Sequence, residues 1–381
     1  MKRTAFARLF LPALLIAAAF APAAPARAQE VVPDTVTYEK GRVAEVVSSE
    51  EKLVPGTDTK SNFQTIKVKM LDGPSEGSVL TIDNDFLLAK PGDVLYLMHR
   101  VNRLDGVDAY SVSAPYRLPV IAFFVGLFLA CLFFFGGIQG VRGLVALCMS
   151  FFFIGYLLLP GILAGYPPVL VALGVSALII VLGSYVTHGF NRTTTTAVLG
   201  MLATIAITGA LAYAAIHLSH LTGFTNEEAV YLNFDTRGSI DLVGLLLGSI
   251  LIGILGVLYD AAIGQSIAVE ELISAGGHLS AREIYRRALR IGREHIGALV
   301  NMLAIAYVGA ALPLLLLFQA SYTQSLEVTL NQELFATEIL RTMLGSIGII
   351  LTVPITTAVA VWMLHGRELP PSERPHGHVH K

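Results

Sequence analysis

Seven apolar stretches fill the chain beyond residue 117: residues 118–135, 143–160, 169–186, 196–218, 240–258, 296–318 and 335–364. Each is close to the roughly 20 residues with which an α-helix crosses the hydrocarbon core of a bilayer, so the pattern predicts seven transmembrane helices. The last stretch is too long for one crossing and holds Glu338, Arg341 and Pro354. Its first turns are expected to project from the bilayer or pack on the bundle, with a kink near Pro354. Between residues 41 and 113 the period changes to two. Ile66, Val68 and Met70 point one way while Lys67 and Lys69 point the other, which is the mark of a half-buried strand. Shorter runs at 43–47, 79–82 and 94–98 are separated by Asp72-Gly73, Glu76-Gly77 and Pro91-Gly92-Asp93. Residues 29–115 therefore read as a small β-barrel-like domain, of which the OB type is one form.

The first residues add a direction. Lys2, Arg3 and Arg8 flank an apolar run over 9–20, followed by Ala26-Arg27-Ala28. This is the layout of a secretory signal covering residues 1–28, and it predicts a mature chain beginning at Gln29 with an extracytoplasmic β-rich domain. With that domain outside, seven spans place the loops at 136–142, 187–195 and 259–295, and the tail, in the cytoplasm. Those segments hold Arg142, Arg192, Arg282, Arg286, Arg287, Arg290, Arg293, Arg367 and Arg374. The opposite loops carry Glu227, Glu228, Asp235, Glu327 and Glu333, with Arg237 on the basic side. The asymmetry obeys the positive-inside rule without reference to the signal.

Composition narrows the class. A chain that is 54% hydrophobic and 14% charged is not an ordinary soluble domain, and its net charge of −2 gives no electrostatic footprint for nucleic acid. The β-rich segment also lacks a basic, aromatic-rich face, so it is read as a protein-contact or gating module beside the bundle, with an envelope protein as its partner, rather than an oligonucleotide binder. Cys131 and Cys148 both fall in apolar stretches and imply no disulfide framework. The expected fold is an α-helical polytopic protein of the bacterial cytoplasmic membrane: the β domain, a transmembrane domain over 116–366, and a disordered cytoplasmic tail at 367–381. The lipid bilayer is its first partner, with a second copy of the chain as another. The tail histidines His376, His378 and His380 offer at most a weak metal site, and no cofactor is expected.

Polar residues in apolar surroundings mark the candidate site. Asp260 lies at or just inside a membrane boundary, where a carboxylate is costly unless paired or watered. On a continuing helix Asp260, Gly264, Ile267 and Glu271 share one face, with Gln265, Ser266 and Glu270 beside it. Gly276-Gly277 is expected to break that helix. Ser280-Ala281-Arg282-Glu283 is a capping-box signature, and arginines then recur every three or four residues, predicting an interfacial helix over 280–293. Span six carries Asn301 and Tyr307, followed by Pro313. The candidate transport pathway is thus Asp260, Gln265, Ser266, Glu271, Arg293, Glu294, Asn301 and Tyr307. Gly244, Gly248, Gly253, Gly256 and Gly264, with Pro313, are assigned to close helix packing. In the segment from Thr187 to Thr196 a run of threonines can cap the next helix. No Ser-His-Asp order, Walker A sequence, His-Glu-x-x-His or Cys-x-x-Cys motif occurs, so no enzyme is expected.

Several of these stretches resemble the YibE/F-like family of bacterial polytopic membrane proteins. The resemblance rests on Gly189-Phe190-Asn191-Arg192, on Gly253 through Asp260 with Ser266 and Glu271, on Gly292 through Gly297, on Asn301 through Gly309, and on Leu312-Pro313 with the leucines after it. Glu294 stands where the family often has Asp, and the charge is kept. The resemblance implies the architecture and carries no substrate or catalytic residue. Two functions compete: a transporter or channel for an ion or small solute with its pathway near spans five and six, and a non-transporting assembly or signalling protein whose exported domain binds a partner.

Overall fold

The computed structural model describes residues 35–53, 60–85, 87–101, 108–275, 279–320 and 325–366. The expected signal at 1–28, the Gly276-Gly277 helix break and the tail at 367–381 lie outside them. The described chain falls into two compact units that meet in sequence at Gly136/Gly137.

The first unit is a five-stranded antiparallel sheet of β1 (Thr35–Leu53), β2 (Lys60–Met70), β3 (Val79–Asn84), β4 (Val94–Val101) and β5 (Asp108–Pro115), in the order β3-β2-β1-β4-β5. β1 serves two partners. Its start pairs with β4 and its remainder with β2, and Gly41 pairs with Leu95 on one side and Met70 on the other. A Cβ at Gly41 would collide with Val68 and stand 3.1 Å from the Leu97 side chain, so the crossover point needs glycine. Irregular register after Val43 and after Val46 bends the strand, as bulges do. The edge strands β3 and β5 touch, which gives the sheet its half-barrel form. Val43, Ile66, Val68, Met70, Ile82, Ala89, Leu95 and Leu97 fill the interior, so the alternation from Ile66 to Met70 faces as expected. Gln64 locks the β3–β4 connection by accepting from the Ala89 and Asn84 nitrogens at 2.8 and 3.1 Å. One acid is buried too: Glu39 lies 3.3 Å from His99 Nδ1, and the imidazole stacks on Tyr110.

Helix α1 (Leu118–Phe153) begins in this unit and passes through Gly137. Gly137 alone leaves helical geometry, at φ 52° and ψ −142°, a conformation open to glycine. A π-turn at Ile154–Leu158 and α2 (Leu159–Leu163) continue it, so the two stretches read as separate spans form one 46-residue apolar segment with a break in the middle.

The second unit continues with α3 (Pro168–His188), α4 (Arg192–Leu218), α5 (Glu227–Asp235), α6 (Leu242–Ala275), α7 (Ala281–Ala310), α8 (Leu312–Ala320), α9 (Leu326–Leu330) and α10 (Glu333–Leu364). Among the described residues five helices are long and apolar enough to cross a membrane. There are six if α7 and α8, bent by 69°, count as one broken span. α6 is the axis of the bundle, packing on α3, α4, α7 and α10. Ile250, Leu251, Ile254 and Leu258 on one side of it are fully buried.

Two helix boundaries depart from the apolar pattern. The expected interfacial helix at 280–293 and span six are one helix, α7, capped by Ser280, whose Oγ accepts from Glu283 N at 3.3 Å. Gly292 and Gly297 do not stop it, because a lone glycine costs a helix only about 1 kcal/mol. Span six does stop before residue 318, since Pro313 lacks the N–H that would continue the ladder. Pro354, by contrast, stays inside α10.

Candidate functional site

Hydroxyls, rather than charges, line the interior of the bundle. On α4, Gly200, Thr204 and Thr208 recur every fourth residue, and on α10 Gly348, Thr352 and Thr356 do the same. Four-residue spacing keeps each trio on one helix face. The two faces meet antiparallel. A Cβ at Gly200 would strike Thr356, and one at Gly348 would sit 3.0 Å from Thr208 Oγ1. Each glycine thus admits the partner helix's second threonine, the small-residue contact through which membrane helices come close. The central threonines satisfy themselves: Thr204 donates to Gly200 O and Thr352 to Gly348 O, both at 2.8 Å. The outer two do not, for the hydroxyls of Thr208 and Thr356 are fully buried without a hydrogen-bond partner.

α6 extends this seam. Gln265 Nε2 donates to Ala288 O on α7 and to Thr357 Oγ1 on α10, both at 2.8 Å. Its Oε1 faces Gly292, where an added Cβ would lie 2.5 Å away. Thr196 Oγ1 donates to Ser266 Oγ at 3.1 Å and to Thr193 O at 2.7 Å. Gln265 therefore ties three helices through one buried amide, and Ser266 ties α6 to α4.

A second polar group sits where α3 ends beside α6. The Thr187 and Tyr259 hydroxyls are hydrogen-bonded to each other, and the His188 and Tyr259 rings lie 5.9 Å apart. Asp260 is within electrostatic reach of the His188 imidazole. The Ser184 side chain is buried beside the Tyr259 hydroxyl, and two turns earlier on α3 the Ser176 Oγ is buried without a partner. Gln139 Nε2 donates to Thr187 O at 3.3 Å, bringing the residues after the α1 break to the same end of the bundle. Among the described residues no three His, Cys, Asp or Glu side chains converge as a metal site would require.

The eight pathway residues read from sequence do not gather in one place. Gln265 and Ser266 are buried in the seam. Asp260, Gly264, Ile267 and Glu271 do share a face of α6, as their spacing predicts, but it is the exposed face. Arg293, Glu294 and Asn301 are exposed on α7. Tyr307 is half-buried with its hydroxyl unpartnered above Gly253, where a Cβ would come within 2.8 Å of it. Of the packing glycines, Gly244 admits Asp241 and Pro168, and Gly248 admits Ala172 at 3.0 Å. Gly256 and Gly264 face open space. The threonine faces and His188 were not singled out from the sequence, although the matching Gly-x3-Thr-x3-Thr spacing of two helices was there to find.

Several long apolar helices around a buried polar seam, with a half-barrel sheet before them, define a membrane protein of several helices. The chain belongs to the YibE/F-like family: residues 124–366, from the first apolar helix to the end of the last, match the family description "YibE/F-like protein". No curated protein and no solved structure matches the chain.

Proposed function

We propose that this membrane protein is a transporter or channel for an ion or small solute, and not an enzyme. The carrying observation is the set of buried hydroxyls without partners, Ser176, Thr208 and Thr356, in the same bundle as Gln265 and Ser266. A polar group buried without a hydrogen bond costs about 1–3 kcal/mol, and replacing it by an apolar group of equal shape removes that cost. Three such groups across α3, α4 and α10 are accounted for if water or an ion meets them when the helices separate. Gln265 and Ser266 then line the interior of the route, and Asp260 with His188 holds the cation or proton at its end. Glu271, Arg293, Glu294, Asn301 and Tyr307 keep their place as residues of the route's flanks.

The finer architecture belongs to the same reading. The break at Gly137 divides the 46-residue segment into two lengths, each sufficient for a crossing, and with the α7–α8 pair as one broken span the total is seven. The charge asymmetry of the loops then puts the β unit outside the cytoplasmic membrane, as an export signal at 1–28 would require. A five-stranded antiparallel sheet whose first strand serves two neighbours and whose edges approach is consistent with an OB-type barrel.

Purified protein in proteoliposomes should carry current or flux under a proton, alkali-metal or divalent-cation gradient, and Asp260→Asn should abolish it while leaving folded protein. Unchanged flux in that variant would remove Asp260 from the route. Silence from folded wild-type protein would favour the rival reading, in which residues 29–115 bind an envelope partner and the bundle anchors them.

A further inference from the structure

At the end of the bundle where α6 begins, a cleft of about 230 Å³ lies between α5, α6 and α10. Leu242 and Leu246 contribute apolar lining, while Arg341, Glu228, Asn226 and Ser249 supply polar atoms. Arg341 comes from the third turn of α10, where Glu338 holds its Nη1 at 2.8 Å. That ion pair leaves the guanidinium incomplete, for its Nε is buried with no acceptor. Glu228, in the first turn of α5, lines the same cleft and, among the described residues, pairs with no cation. Asn226 Oδ1 is committed to Ala229 N at 2.9 Å, which leaves the amide NH₂ available.

We infer that this cleft binds a small zwitterion, its anionic group on Arg341 and its ammonium on Glu228, with a short aliphatic part against the leucines. A simple anion would gain Arg341 but face Glu228, and a simple cation the reverse. A molecule carrying both charges satisfies each, and charge-assisted hydrogen bonds to a guanidinium and a carboxylate are the strong kind. The volume suits a molecule of α-amino acid size. Two sources share this chemistry: a free amino acid and the phosphoethanolamine headgroup of a lipid. Binding itself is independent of the transport reading, and only the role of a free zwitterion as the transported solute rests on it.

The test is a thermal-shift titration of the full chain in non-ionic detergent with L-leucine, L-leucinamide, N-acetyl-L-leucine and a short-chain phosphatidylethanolamine. The expected result is a saturable rise in Tm with leucine or with the lipid, whichever is the source. The two singly charged leucine derivatives should bind at least about tenfold more weakly than a zwitterion that binds. Glu228→Gln, at an exposed position, should erase that preference, and Arg341→Lys should weaken binding by about tenfold through loss of the planar fork. No saturable shift with either zwitterion, equal binding of the derivatives, or wild-type affinity in Glu228→Gln would overturn the inference. Because binding is read without a gradient, its failure is separate from a failure of flux.

Discussion

At Thr208 and Thr356 a hydroxyl is pressed against a glycine of the facing helix and left without a hydrogen bond, and that conflict separates function from folding. Thr356→Val keeps the shape and removes the unpartnered oxygen, so melting should occur at the wild-type temperature or above it. Gly200→Val fills the space that Thr356 needs, and overpacking should cost about 1–3 kcal/mol, read as a lower Tm. The β unit offers a different case. Glu39 is buried beside His99, whose ring stacks on Tyr110, so His99→Ala should remove that packing, leave the carboxylate more isolated and lower the stability of the sheet. Hydrogen exchange over residues 35–115 of the full chain checks this, and adding Glu39→Gln should restore much of the lost protection. Sequence reading reached Gln265 and Ser266 because polar side chains stand out in an apolar run. It passed over the threonines because a hydroxyl hardly changes the hydropathy of the helix around it, and only recurrence every fourth residue on two helices marks them. Asp260 stood out for its charge, but its exposure on α6 depends on which side of that helix the rest of the bundle covers.

The elements were legible where a local rule decides them. Ser280 caps α7 as its capping box predicts, while α4 is capped by Asn191, which accepts from Thr194 N at 2.6 Å, and not by the threonine run beside it. Pro313 ends α7 as a missing donor should, although the apolar run carried the expected span past it to residue 318. The joining of the expected interfacial helix to span six was not legible, since the change from an arginine-rich to an apolar surface occurs without any helix breaker. Loops between elements carry their own locks. Glu333 at the start of α10 accepts from Thr222 N, Thr222 Oγ1 and Gly223 N at 2.7–2.8 Å. Glu333→Ala should therefore free the α4–α5 connection, at a cost of about 1–3 kcal/mol, with faster proteolytic cleavage near residue 222 as the readout. The break at Gly137 has a topological consequence. If the two lengths of the 46-residue segment are separate crossings, Gln139→Cys in inside-out membrane vesicles should react with an impermeant maleimide, and in right-side-out vesicles it should not. Labelling of the opposite orientation alone would reverse the assignment.

Across the whole molecule, periodicity gave the two-part layout: alternation before residue 116 and long apolar runs after it. The sheet order could not be read the same way, because β1 pairs with strands on both sides and such pairing depends on contacts distant in sequence. The polar seam is likewise a product of tertiary packing, since residues 200 and 356 meet only when α4 and α10 run antiparallel. A transport role for the buried hydroxyls is decided by ion and solute flux through the purified full chain in proteoliposomes, comparing wild type with Thr356→Val at matched amounts of folded protein. A route through the seam predicts flux in the wild type and at least a tenfold loss (about 1.4 kcal/mol of barrier) in a variant that melts no lower. Equal flux from both proteins would show that the buried hydroxyls serve packing alone, and would contradict a route through the seam.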